Sequence, residues 1–102
     1  MLRSFSYAAN SMLITYTTRH AEDVSVLEPW ARLWERAIAA EFLRAYRTTA
    51  GSAEFLPETP EDFQRVLGAC IVQKALYELA YELNNRPAWV RIPLAGILSI
   101  AV

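Results

Sequence analysis

Little in this chain of 102 residues lends itself to the commoner kinds of catalytic or metal chemistry. Cys70 is the only cysteine, which excludes an internal disulfide and a cysteine-rich zinc site. His20 is the only histidine, so no centre needing two imidazoles can form. The three glycines, Gly51, Gly68 and Gly96, stand apart, and no glycine-rich loop is present to cradle a phosphate. Ten basic and eleven acidic side chains leave a net charge of −1, without the basic excess of a nucleic-acid binder. The most apolar run, Ile92 to Val102, falls far short of the ~20 residues needed to span a bilayer. The opening MLRSFSYAANSMLITY lacks the basic start, long apolar run and small-residue cleavage site of a secretory signal. The expectation is a soluble, cytoplasmic protein with no nucleic-acid or membrane partner, folded as a single domain over residues 1–102.

What the chain has in excess is apolar side chains. Counted with glycine in place of tyrosine they make up about 52% of the residues, against a usual ~45–50%. A domain this small has the least interior in which to hide them, so either it packs unusually well or some apolar surface is meant for a neighbour. Nine of the ten basic residues are arginine, which suits interfacial pairing but also follows from a GC-rich genome.

The apolar spacing is helical nearly throughout, and an all-α fold of three long helices plus a short C-terminal apolar helix is expected. Leu2, Phe5, Ala9, Met12, Leu13 and Tyr16 define a first helix. Residues 17–24, TTRHAEDV, read as a polar connection. Ser25 and Glu28 have capping-box spacing, with Pro29 in a first turn. The second helix carries a ridge of Trp30, Trp34, Ile38, Phe42 and Tyr46, decorated by Glu28–Arg32 and Glu41–Arg44 and stopped by Gly51. The strongest local signal is Thr59-Pro60-Glu61-Asp62, a threonine cap followed by proline and two acids at the positive end of the helix dipole. The third helix runs from there to about Asn84, with a left-handed asparagine cap before Pro87 as its expected end. Trp89 to Pro93 is expected to be extended, and Leu94 to Val102 a short apolar helix or tail.

Asp23 and Asp62, the only aspartates, fit turn and helix-start positions. His20 reads as a surface residue, and Cys70, on the apolar stripe of the third helix, as a buried inert thiol. The run KALYELAYELNNRP is more informative. Tyr77 and Tyr81 are four apart, as are Glu78 and Glu82, so each pair stacks along one helical face. Lys74 and Arg86 at i,i+4 spacing can offset the glutamates' repulsion. Alternatively, the phenols and carboxylates form a wall suited to sugar hydroxyls.

The stretch KALYELAYELNNRPAWVRIPLAGIL, residues 74–98, resembles the C-terminal signature of bacterial maltokinases, enzymes often fused behind trehalose synthase. MLRSFSYAA at 1–9, LEPWARLWE at 27–35 and FLPETPEDF at 55–63 resemble further pieces of that family in the same order. The resemblance implies the C-lobe helices of an aminoglycoside phosphotransferase-like kinase that makes maltose 1-phosphate from ATP and maltose. ATP and Mg2+ are implied for the complete family enzyme. The family's nucleotide-binding lobe, His-Gly-Asp loop and Asp-Phe-Glu-Gly-Glu-Pro metal motif precede the matching region. The 102 residues are therefore expected to supply neither catalytic residues, metal ligands nor a cofactor site, and to be inactive alone. On the acceptor side, the resemblance implies maltose contacts from Tyr77, Glu78, Tyr81 and Glu82, oriented by Asn85 and Arg86, with Arg3 and Tyr7 as weaker candidates. It also implies an apolar face that meets a catalytic half. A non-catalytic helical module that self-associates through that face is the alternative.

Overall fold

The computed structural model describes residues 1–101, and every described regular element is helical. Four α-helices follow in order: α1 (Leu2–Thr17), α2 (Val24–Ala50), α3 (Pro60–Asn85) and α4 (Arg91–Ala101), with 3-10 turns at Ala21–Asp23 and Pro87–Trp89. The all-α class is as the apolar periodicity indicates. Val102, included in the expected C-terminal segment, lies outside the described residues. Close packing divides the chain into two units, Met1–Gly51 and Ser52–Val102.

In the first unit α1 packs on α2. Ser6, Ala9 and Asn10 form the buried strip of α1, small enough to let the helices approach. Phe5 meets Phe42 edge-on, with centroids 5.7 Å apart and planes at 70°. Asn10 ties the pair together: its Nδ2 donates to Ser6 O at 2.7 Å, and its Oδ1 accepts from Arg32 Nη2. Arg32 also donates to Glu35 at 3.0 Å, so its partners are Glu35 and Asn10 instead of the expected Glu28. Asn10→Ala is expected to destabilise this unit by about 1.5 kcal/mol in urea unfolding, because a hydrogen bond to a charged donor is lost in a half-dry setting. A loss under a few tenths of a kcal/mol would show that the bridge is decorative.

Two sequence expectations for α2 change. The Ser25–Glu28 capping box does not form, because α2 already begins at Val24. Asp23, at the cap position, has φ −89° and ψ −6°, and its side chain makes no cap bond. A side-chain cap needs extended backbone there, and the preceding 3-10 turn has already bent the chain into helix. Pro29 is therefore the sixth residue of α2, beyond the first turn. The ridge also winds: each step of four residues overshoots a turn by ~40°. Ile38 and Phe42 are half-buried, whereas Trp30, Trp34 and Tyr46 are exposed. Gly51 ends the helix as expected, at φ +58°, with its N–H donating to Arg47 O at 3.0 Å.

The second unit pairs α3 with α4. Thr59 Oγ1 accepts from the Asp62 N–H at 3.1 Å and Pro60 opens the helix, as the local signal indicates. The C-terminus differs from expectation. Asn84 and Asn85 stay helical, with side chains donating to Ala80 O (2.9 Å) and Tyr81 O (2.8 Å), and no described non-glycine residue has positive φ. The expected extended stretch at Trp89–Pro93 is instead the end of a 3-10 turn and the start of α4. Pro93 is the third residue of α4, where the missing N–H would have had no partner inside the helix. Phe63, Ala75, Ile92 and Pro93 are buried here. Cys70 is exposed and not buried: α4 covers only part of the broad apolar arc of α3, leaving Val66, Leu76 and Leu83 more than half exposed as well.

Candidate functional site

The six residues singled out on α3 and its C-terminus divide by depth. Tyr77 (64% exposed) and Tyr81 (48% exposed) face solvent, as do Asn85 and Arg86. Glu78 and Glu82, one position further along, are buried, Glu82 almost completely at 1%. Adjacent residues on a helix lie ~100° apart, so turning the glutamates inward turns the tyrosines outward. The burial is made tolerable by Arg86, whose Nε and Nη2 donate to Glu82 Oε2 (3.0 Å) and Oε1 (2.7 Å) as a two-pronged fork.

Cations lie against the aromatic faces. Arg86 sits 4.1 Å from the Trp89 ring centroid and 5.9 Å from that of Tyr81, while the Lys74 ammonium lies 4.7 Å from Tyr77. Lys74 thus rests on a ring. The result is two exposed tyrosines one helical turn, ~6 Å, apart, each with a cation near its ring, Lys74 by Tyr77 and Arg86 by Tyr81. Such a surface can stack the apolar faces of sugar rings and offer phenol, amide and guanidinium groups to hydroxyls. Arg3 and Tyr7 lie in the first unit, half-buried, with the guanidinium 6.0 Å from the ring centroid.

The aspartates are engaged locally. Asp62 accepts from Arg65 at 3.1 Å, and Asp23 accepts from the Tyr16 hydroxyl at 3.4 Å. His20, Glu22 and Asp23 bring ligand atoms within 4.8 Å of one another, with His20 stacked on Tyr16 at 4.6 Å. His20 and Glu22 are exposed and Asp23 half-buried, so water competes at every donor. At the surface of α2, Arg44 holds the Glu41 carboxyl below its ordinary range, chiefly by hydrogen bonding. Any stability from that pair is present above the ordinary carboxylate range and fades as pH falls through the lowered value.

The first unit carries a second candidate, an open apolar trough of about 660 Å³ between α1 and α2. Met12, Tyr16, Leu27, Trp30 and Trp34 line it, and no charged residue does. Met12 is 70% and Trp30 67% exposed.

No protein-family model matches the chain, and no solved structure matches it.

Sequence reasoning passed over Asn10 and Ser6. Their signal was available: two polar residues at i,i+4 inside the apolar stripe of α1, where a buried partner is required. The trough was legible only as a general apolar excess.

Proposed function

We propose that this chain is the acceptor-side helical part of a maltokinase-like sugar kinase of the cytoplasm. Tyr77 and Tyr81 hold maltose or a related sugar, Arg86 and Asn85 reach its hydroxyls, and Glu82 fixes Arg86. In the complete reaction the γ-phosphoryl group of ATP passes to maltose, giving maltose 1-phosphate and ADP. Nucleotide and Mg2+ belong, in this reading, to a catalytic half of the family type, and no phosphoryl-transfer step falls to these residues. One observation carries the reading: the stretch resembling the maltokinase signature is also where two exposed tyrosines stand one turn apart beside a buried carboxylate that the half-exposed Arg86 guanidinium holds.

Maltose titrated to tens of millimolar is expected to shift the ring NMR signals of Tyr77 and Tyr81 progressively. Tyr81→Ala should weaken binding about tenfold, the ~1.4 kcal/mol of a lost aromatic contact. No shift at either ring would overturn the sugar site. The chain alone is expected to show no ATP-dependent maltose phosphorylation, and turnover that survives contaminant controls would overturn the division of labour.

The trough favours a second reading, a non-catalytic helical interaction module. Four large apolar side chains that line it, Met12, Tyr16, Trp30 and Trp34, are 46–70% exposed. Contiguous apolar surface of that extent marks an interface more often than a solvated face.

A further inference from the structure

The turn between α1 and α2 sets the chain's one histidine beside two acids. The Asp23 N–H donates to His20 O at 3.0 Å, closing the 3-10 turn of Ala21–Asp23. In that geometry side chains three positions apart are eclipsed, so His20 and Asp23 share one side of the turn. Glu22 joins them: a ring nitrogen and an oxygen from each carboxylate lie within 4.8 Å of one another. We propose that His20, Glu22 and Asp23 form a binding site for Zn2+, with water completing its coordination. The site lies wholly within the first unit and depends on neither the sugar nor the interaction reading.

Distance, charge and orientation all favour an ion there. Three atoms no more than 4.8 Å apart share a point at most ~2.8 Å from each, against ~2.0–2.2 Å for Zn–N and Zn–O bonds. Small rotations of largely exposed side chains close that gap. Among the described residues, neither the His20 ring nor the Glu22 carboxylate has a hydrogen bond or ion pair, and Arg19 pairs with neither acid. Two carboxylates therefore converge with no cation between them, a repulsion that a divalent ion turns into attraction. Tyr16, from the last turn of α1, orients two of the three ligands. Its ring stacks on that of His20 at 4.6 Å, with 23° between the planes, and its hydroxyl donates to Asp23 Oδ2 at 3.4 Å. Metal-binding imidazoles and carboxylates are held by outer partners of this kind. The donor set also selects the ion. One imidazole with two carboxylates suits zinc, whereas calcium takes more oxygens than the turn supplies and magnesium parts reluctantly with its waters. Because water reaches His20 and Glu22, the expected affinity is micromolar, far weaker than that of a buried structural site.

The test is calorimetric titration of ZnCl2 into the Cys70→Ser chain, which removes an exposed thiol as a competing ligand. One equivalent is expected to bind, and His20→Ala should weaken it at least about tenfold. Glu22→Gln and Asp23→Asn should each weaken it several-fold, with far-UV circular dichroism unchanged. Tyr16→Phe keeps the stack and loses the hydroxyl, so its effect should be smaller than that of Asp23→Asn. Zn2+ should also shift the His20 and Tyr16 ring NMR signals together, and Mg2+ or Ca2+ at equal concentration should move neither. Zinc held equally well by the His20→Ala chain would overturn the site. So would saturation only above about 1 mM, or calcium and magnesium binding as tightly as zinc, the behaviour of an ordinary acidic surface.

Discussion

Replacing Arg86 with alanine is expected to destabilise the α3–α4 unit by about 3 kcal/mol, the cost of leaving a buried carboxylate without its counter-ion. Glu82 is 1% exposed, and both of its oxygens accept from the same guanidinium, at 3.0 and 2.7 Å. Arg86 itself is 46% exposed at the side chain, so the loss is that of the carboxylate and not of a buried arginine. The measurement is hydrogen exchange of the α3 and α4 amides, which reports this unit separately from α1 and α2. Glu82→Gln in the Arg86→Ala background should recover a large part of the loss, since an amide is cheaper to bury than a charge. Arg86→Lys should fall between, because an ammonium cannot reproduce the fork. A loss below about 1 kcal/mol would mean that Glu82 is held by other groups and that the pair is not what fixes the tyrosine platform.

Ile92→Ala is expected to cost the same unit a further, independent ~3 kcal/mol, within the usual range for emptying a well-packed core position. Ile92 is 1% exposed, in the first turn of α4. The larger apolar side chains buried with it are few, Phe63 at 8% among them, so little remains to close over the cavity. Ile92→Val should cost only about 1 kcal/mol. For a unit of this size, the alanine variant should lower the melting temperature by well over 10 °C. A shift of a few degrees would place the core elsewhere.

The two predictions bear on function differently. Ile92 anchors α4, whereas Arg86 connects the buried glutamate to the exposed aromatic face. If the sugar reading holds, Arg86→Ala should also blunt the maltose response of Tyr81, while Ile92→Val should leave it intact.

Helix ends that rest on one turn of chain were legible in advance. Thr59 with Pro60 and Gly51 act where their local chemistry puts them, because a cap or a left-handed glycine involves only residues within four positions. The misread ends each had a competing local solution. The 3-10 turn before Val24 displaced the Ser25 cap, a first-turn Pro93 allowed helix where an extended run was expected, and two asparagines capped carbonyls with their side chains.

Depth was the harder quantity. By polarity alone, Tyr77 and Tyr81 belong inside and Glu78 and Glu82 outside, yet the reverse holds. The spacing of Glu82 and Arg86 showed that the two could pair, but not that the pair would form at the edge of a core. Cys70 and the tryptophans of α2 are the opposite case, apolar positions that stay exposed.

The sequence by itself determined that this chain is helical, roughly where its helices begin and end, and which side chains share a face. Those properties follow from backbone geometry and interactions a turn apart. Which face turned inward was decided only when α4 came to rest on α3 and α1 on α2. Burial is a free-energy difference between whole surfaces, and its balance depends on partners far away in the chain.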